Sequence, residues 1–311
     1  MGEVANRMTE LKRAGKKALV PFVTAGFPTR ESFPQLLVAV SQLADVVEIG
    51  VPFSDPLADG PVIQHTSQVA LEQGVNLPWI LATLADHQVR EQVRAPLVLM
   101  SYLNPLLQLT VEEKRRRPLQ RPILQRPMGR GPEIAPTSSE NVFEAARQAG
   151  VAGMIVPDLP VEEGSEFETW ARNHQIDLIY LLAPTTGDER ARMIAERSQG
   201  FIYLVSITGV TGSCDEFPPE TFAFLKRVRA LTDKPVCVGF GISRPEQVKQ
   251  IAPDVDGVIV GSSLLRVIMQ APSDPIRAAR EFLLKLKQVL GDCELFAGDQ
   301  RPATKWEEVE S

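Results

Sequence analysis

The sequence contains few of the residues that form disulfide frameworks or metal clusters. Its three cysteines, Cys214, Cys237 and Cys293, are far apart and form no CxxC pair. This spacing excludes a typical disulfide scaffold or zinc cluster and predicts a reducing, cytoplasmic compartment. The three histidines also lack a spacing that would place two ligands on one helix face. The sequence therefore predicts no metal site.

Long apolar runs and an excess of basic residues are also absent. No segment has 18 uninterrupted apolar residues, and the first 20 residues lack the apolar centre of a secretory signal. The 33 Lys and Arg residues against 39 Asp and Glu give a net charge of −6. Nucleic-acid binders and proteins of anionic membranes need basic surfaces. We therefore expect neither nucleic acid nor membrane as a partner.

Short apolar runs alternate with longer amphipathic stretches along most of the chain, as in parallel βα units. Several of the amphipathic stretches begin with Ser, Asp or Pro at capping positions. Eight such units close most naturally into a barrel, whereas a doubly wound open sheet usually has fewer strands. We therefore predict an α/β fold, a single (βα)8 TIM barrel with an extra N-terminal helix. The predicted strands are residues 18–24, 45–50, 96–102, 152–158, 177–183, 201–206, 235–241 and 256–262.

We predict a catalytic domain of residues 1–290 followed by a tail. One segment in the domain, and the tail itself, depart from the alternation of strands and helices. Residues 109–139 contain repeated Pro and Arg without apolar periodicity, which predicts a flexible basic insertion after the third strand. An anionic partner for this insertion is an alternative, but one charged loop on an acidic chain is usually solvated surface. Residues 291–311 are predicted to form a flexible tail.

Carboxylates cluster at the end of the second predicted strand. Glu48 interrupts the apolar run VVEIG, and Asp55 and Asp59 follow in the proline-stiffened loop VPFSDPLADGP. If Glu48 faces the barrel interior, burial raises its pKa toward that of a general acid or base. A structural ion pair for Glu48 and an ordinary turn for the loop are the alternatives. Their combination at a strand end favours catalysis by Glu48 and Asp59.

Glycine-containing turns follow the last three predicted strands, in ITGVTGS, VGFGIS and IVGSS. Glycine allows close approach of the backbone, and N–H groups at helix starts bind anions, so these turns predict a phosphate site. A dinucleotide fingerprint is excluded because Arg244 stands in place of its third glycine, and no GxxxxGK[ST] occurs. No nucleophile elbow and no lysine at a strand end is present, which disfavours acyl transfer and Schiff-base chemistry.

The run VEIGVPFSDPLADGPVIQ at 47–64 closely resembles the signature of the tryptophan synthase alpha chain family. The similarity covers nearly all of residues 15–290 and continues through LVPFVTAGFP, MSYLNP, VPDLP, YLLAPTT, VSITGVTG, VGFGIS and VGSS. It implies a lyase of tryptophan biosynthesis that cleaves indole-3-glycerol phosphate to indole and glyceraldehyde 3-phosphate. It also implies an α2β2 complex whose beta chain receives the indole and carries pyridoxal phosphate, with no cofactor in this chain.

The resemblance also implies roles for individual residues. Glu48 would transfer protons at indole C3 and at the glycerol hydroxyl, and Asp59 would interact with the indole N–H. Tyr180 would lie near the reacting glycerol, and Thr211 would belong to a loop that closes over substrate. The apolar slot for indole would contain Phe22, Met100, Tyr102 and Ile259. Phosphate would bind at Gly212, Gly241, Gly261 and Ser262, and the beta chain would contact Pro52, Asp55 and Pro160.

Two other functions are compatible with the same motifs. One is the same lyase working without a beta chain and releasing free indole. The other is a phosphate-binding barrel without catalysis, which retention of Glu48 and Asp59 disfavours. The insertion at 109–139 departs from the family pattern near the predicted partner face, and the tail is longer than the family needs.

Overall fold

A computed structural model describes residues 1–116, 140–205, 217–239 and 241–291. Most of the insertion predicted at 109–139, and all of the predicted tail except Gly291, lie outside these ranges. Helix α6 runs from Leu103 to Arg116, so the prediction of a loop is wrong for residues 109–116. The helix can continue through these residues because no proline interrupts it between Pro105, in its first turn, and Pro118, beyond its end.

The described residues form nine strands, and every strand pair is parallel. They are β1 (Ala18–Thr24), β2 (Val47–Gly50), β3 (Leu97–Met100), β4 (Val151–Ile155), β5 (Asp177–Ile179), β6 (Leu181–Leu182), β7 (Ile202–Val205), β8 (Val236–Gly239) and β9 (Gly257–Val260). Their order in the sheet is β5-β4-β3-β2-β1-β9-β8-β7-β6.

The two strands at the ends of this order are consecutive in the chain. Only Tyr180 separates β5, which pairs with β4, from β6, which pairs with β7. Across this junction the Tyr203 N–H donates to the Tyr180 carbonyl oxygen at 3.2 Å. The predicted fifth strand is therefore one segment in two short pieces, and it closes the predicted barrel of eight units.

Helices cover the outside of this barrel. Their apolar faces pack on the outward side chains of the strands in one large buried cluster. Side-chain caps begin several of them, for example where Asn76 accepts from the Trp79 N–H and Asp274 from the Arg277 N–H. The helices are α1 (Glu3–Arg13), α2 (Phe33–Ser41), α3 (Pro61–Glu72), α4 (Leu77–Ala85), α5 (His87–Gln92), α6 (Leu103–Arg116), α7 (Glu140–Gln148), α8 (Ser165–Asn173), α9 (Asp188–Arg197), α10 (Pro219–Arg229), α11 (Pro245–Ile251), α12 (Ser262–Gln270) and α13 (Pro275–Val289).

Helix α1 is the predicted extra N-terminal helix, and it covers the amino end of the barrel. Its side chains Val4, Met8 and Leu11 are buried in a second cluster with inward-facing strand residues. Asp177 fixes the start of α1 by accepting from the Ala5 N–H at 2.9 Å. The amino end is therefore packed, which leaves the carboxyl ends of the strands for a site. No described helix has both the length and the apolar character needed to cross a membrane.

Candidate active site

Glu48 contributes a buried carboxyl group to the barrel interior. It lies in β2, in register with Phe22 of β1 and Val98 of β3, and is 1% exposed. Among the described residues neither carboxyl oxygen has a hydrogen-bond partner, so the ion-pair alternative has no support there. Burial, and then the charge of Asp59, raises the pKa of Glu48 to about 8. Glu48 is therefore protonated at neutral pH and can donate a proton.

Asp59 is held near Glu48 by a tyrosine that follows the next strand, β3. The Tyr102 hydroxyl donates to Asp59 Oδ2 at 3.2 Å and accepts from the Ala58 N–H at 2.9 Å. The Tyr102 ring also packs against Phe53, with centroids 5.2 Å apart. Burial raises the pKa of Asp59, while the hydrogen bond from Tyr102 opposes this shift. The predicted slot residue Tyr102 therefore also fixes the carboxylate loop.

Tyr180, predicted to lie near the reacting glycerol, is on the outer face of the barrel. Its neighbours Ile179 and Leu181 pack in the interior cluster, and side chains alternate between faces along a strand. The Tyr180 hydroxyl donates at 2.8 Å to Glu168 Oε1, which also accepts from Arg197 Nε at 2.7 Å. The prediction for Tyr180 is therefore wrong, because its hydroxyl belongs to a polar network behind the barrel wall.

Tyr203 is the tyrosine that faces the two carboxyl groups. Tyr203 lies in β7, two residues after the inward-facing Phe201, which places both side chains on the inner face. Burial, and then the charges of Glu48 and Asp59, raises the pKa of Tyr203 well above its usual value. Its hydroxyl therefore stays protonated beside the carboxyl pair and can donate to a bound substrate.

Removing each tyrosine hydroxyl in turn tests which of the two tyrosines acts on the substrate. We expect Tyr203→Phe to lower kcat/KM by about tenfold, the scale of one lost hydrogen bond in a dry site. The matched variant Tyr180→Phe removes a hydroxyl of the outer network and should change kcat/KM by less than about twofold. The steady-state rate of the indole release that the resemblance implies measures both effects. A larger loss in Tyr180→Phe than in Tyr203→Phe would restore the original assignment.

Two glycines make room for aromatic rings at the carboxyl end of the barrel. A Cβ on Gly50 would overlap the Phe22 ring, and one on Gly239 would lie 2.9 Å from Tyr203 Cε1. Gly50 and Tyr203 are not among the predicted site residues, and Gly239 belongs to the predicted glycine turn VGFGIS. Two further predicted slot residues lie on the same inner face. Met100 is in register with Gly50, and Ile259 is 3% exposed.

The described part of the predicted phosphate site combines a left-handed turn with a helix start. Gly241 has φ +71°, a conformation that favours glycine. Ser262 is the first residue of α12, so N–H groups of this first turn have no partner within the helix. A Cβ on Gly261 would lie 3.4 Å from Phe22 Cβ, so this turn adjoins the slot. Thr211 and Gly212, predicted here as well, lie outside the described residues.

The predicted partner residues differ in exposure. Asp55 and Pro160 are exposed at the carboxyl end of the barrel, in the loops that follow β2 and β4. Pro52 is buried and offers little surface for the predicted contact. Leu57, in the same loop as Asp55, is 91% exposed. The loop therefore presents an apolar and an acidic residue to solvent.

Comparison with known proteins places the whole barrel in one family. The family model described as "Tryptophan synthase alpha chain" matches residues 8–291. The alpha chain of Carboxydothermus hydrogenoformans is 42% identical over 269 residues, 86% of this chain and 90% of that relative. The alpha chain of Arabidopsis thaliana is 37% identical over 291 residues, 92% and 95% of the two chains.

Solved structures agree with the sequence comparisons. Subunit alpha from Legionella pneumophila has a TM-score of 0.77 at 32% identity and covers 93% of this chain and 98% of its own. A chain of the tryptophan synthase complex from Pyrococcus furiosus has a TM-score of 0.72 at 31% identity, covering 87% and 98%. The range of the family model includes Glu48, Asp59 and the turns at Gly241 and Gly261. The chain belongs to the tryptophan synthase alpha chain family.

Proposed function

We propose that Glu48 and Asp59 form the catalytic pair with which this lyase cleaves indole-3-glycerol phosphate. The observation that carries the proposal is the buried Glu48 carboxyl group, which has no partner among the described residues and a pKa of about 8. Two nearby carboxyl groups cannot both ionise easily, so one holds a proton while the other carries charge. Glu48 has the environment of the acid and Asp59 that of the anion.

In the proposed mechanism Glu48 transfers a proton in each direction. Its protonated carboxyl gives a proton to indole C3, which makes the ring a leaving group. The resulting carboxylate takes the proton from the hydroxyl of the adjacent glycerol carbon. That carbon becomes the aldehyde, and the electron pair of the broken carbon–carbon bond returns to the ring. Indole and glyceraldehyde 3-phosphate are formed, and Glu48 is again protonated.

Asp59 stabilises the charge that this protonation creates. When C3 accepts a proton, positive charge develops on the indole nitrogen, and an oriented carboxylate beside the N–H stabilises it. The hydrogen bond from Tyr102 favours the charged form of Asp59. Phe22, Met100 and Ile259 provide apolar surface for the ring.

The phosphate is assigned to the turns that contain Gly241, Gly261 and Ser262. Their backbone N–H groups and the α12 start suit an anion. We assign Gly212 to the same site and Thr211 to closure over the substrate, from the family resemblance. Holding the phosphate at this rim directs the indole toward Glu48.

We further propose that the indole passes to a beta chain docked on the carboxyl-end face. A solved relative is described as the tryptophan synthase a2b2 complex from Pyrococcus furiosus. The exposed Asp55 and Pro160 lie at this face and suit such a contact. Pyridoxal phosphate belongs to the beta chain in this arrangement. The scarcity of cysteine supports a cytoplasmic location.

Indole release by the purified full-length chain tests this function. It is measured with indole-3-glycerol phosphate, alone and with a tryptophan synthase beta chain. Slow release that increases strongly with the beta chain is the expected result. Fast release that the beta chain does not change would favour a lyase without a partner. Binding of a phosphorylated indole analogue without indole release in either condition would identify a non-catalytic scaffold.

The pKa of Glu48 predicts the pH dependence of cleavage. Because the protonated carboxyl acts first, kcat/KM should fall as pH rises through about 8. This apparent value belongs to the coupled Glu48–Asp59 pair. The measurement is kcat/KM across the neutral to alkaline range, with thermal unfolding at each pH as a control for stability. A constant value well above pH 8 would contradict an acid role for Glu48.

A further inference from the structure

We propose that Ser263 and Gln247 are positioning residues that assemble the phosphate site from two separate turns before substrate binds. One turn, residues 241–244, follows β8, and the other is the start of α12 after β9. This inference rests on the proposed function, because it assigns the substrate phosphate to these turns. Neither the Ser263 hydroxyl nor the Gln247 side chain is itself proposed to touch the phosphate.

Ser263 joins the two turns directly. Its hydroxyl donates to the Ile242 carbonyl oxygen at 2.8 Å, and the Ser263 residue is 6% exposed. The bond directs the Ile242 carbonyl toward α12. A carbonyl oxygen left facing the site would repel an anion and would compete with the N–H groups of the turn. The hydroxyl of Ser263 therefore helps the turn present donors.

Gln247 fixes the other end of the same turn. Its Oε1 accepts from the Ser243 N–H at 2.8 Å, the Ser243 hydroxyl at 3.1 Å and the Arg244 N–H at 3.1 Å. The Gln247 residue is 9% exposed and lies in the first turn of α11. Three donors on one buried oxygen allow the turn little freedom. The left-handed Gly241 is thus followed by a segment bound to both α11 and α12.

This arrangement matters because phosphate binding is sensitive to donor position. Charge-assisted N–H bonds to an anion need donor–acceptor distances of about 2.7–2.9 Å. The two turns belong to different βα units, so their relative position depends on contacts between them. A site that is already assembled costs less free energy to order on binding. Loss of the Ser263 bond should therefore weaken binding of the phosphate specifically.

Two ligands that differ only in the phosphate test the proposal: 3-(indol-3-yl)propyl phosphate and the corresponding alcohol. In Ser263→Ala we expect the Kd of the phosphate to rise about tenfold and that of the alcohol to change less than about twofold. For indole-3-glycerol phosphate, KM should rise while kcat stays within about twofold of wild type. Ser263→Thr keeps the hydroxyl and should restore the wild-type Kd.

Ser198→Ala is the matched control. Its hydroxyl is also buried and donates to a backbone carbonyl, that of Phe201 at 2.7 Å, but it lies near the start of β7. It should lower thermal stability without changing the ratio of the two Kd values. Equal weakening of both ligands in Ser263→Ala, no change in either, or the same ratio change in Ser198→Ala would overturn the proposal.

Gln247→Glu gives a second measurement. The carboxylate can still accept from the turn but adds negative charge near the site, so it should weaken the phosphate ligand and spare the alcohol. Weakening of both ligands to the same degree would contradict the assigned position of Gln247. Failure of the proposed function is distinguishable, since wild type would then release no indole, whereas failure of this proposal leaves wild-type release intact.

Discussion

Glu48→Gln should abolish indole release while the propyl phosphate analogue still binds with a Kd within about threefold of wild type. The amide has nearly the same shape but neither donates a proton to indole C3 nor takes one from the glycerol hydroxyl. Indole formation and calorimetric binding measure the two effects. The matched variant Glu168→Gln changes a partly buried glutamate of the outer network and should retain cleavage. Wild-type turnover in Glu48→Gln would exclude the mechanism.

The same substitution should change how stability depends on pH. The folded pKa of Glu48, about 8, lies above its ordinary value of 4.5. Below pH 4.5 the carboxyl is protonated in both states, and between 4.5 and 8 only the unfolded state loses its proton. The buried Glu48 carboxyl therefore lowers the free energy of unfolding progressively over this range, by a few kcal/mol at pH 8. Compared with wild type, Glu48→Gln should therefore gain relative stability as pH rises, which thermal unfolding can measure.

Asp59→Asn should lower kcat by about 10²–10³, the scale of one oriented partner of a developing charge. The amide oxygen can still accept from Tyr102, so the loop should keep its position. Loss of the Asp59 charge should also lower the pKa of Glu48, because that charge raises it. The alkaline fall in kcat/KM should accordingly move to lower pH.

The exposed Asp55, in the same loop, supplies the control for Asp59. Asp55→Asn, measured without a beta chain, should show kcat close to wild type, because its carboxylate lies outside the barrel interior. Unchanged kinetics in Asp59→Asn would assign this residue to the turn alone. A pH profile that does not move would show that its charge does not act on Glu48.

The barrel could be predicted because eight apolar runs recur with helical stretches between them. The side chains that point inward could not be predicted, because parallel strands are apolar on both faces and show no alternation of apolar and polar residues. Tyr180 and Tyr203 lie in equally apolar runs, and only the structure separates them. Glu48 was recognisable because one charge in such a run has few structural explanations.

Contacts between distant segments of the chain could not be predicted from the sequence either. Tyr102 meets Asp59 across 43 positions in the chain, and Ser263 meets Ile242 across 21. No local sequence pattern indicates such contacts. The helix over residues 109–116 is hidden for a different reason: its run of charged residues resembles a loop, although it contains no helix breaker.

Helix α1 closes the amino end of the barrel in the part of the chain that the structure describes. Across the described residues, Val4, Met8 and Leu11 fill the amino end together with inward side chains such as Phe201. A ring released beside Glu48 cannot leave through that packed layer without local unfolding. It must move outward past the rim that carries Asp55 and Pro160. The fold therefore sets the direction of product traffic before any partner binds.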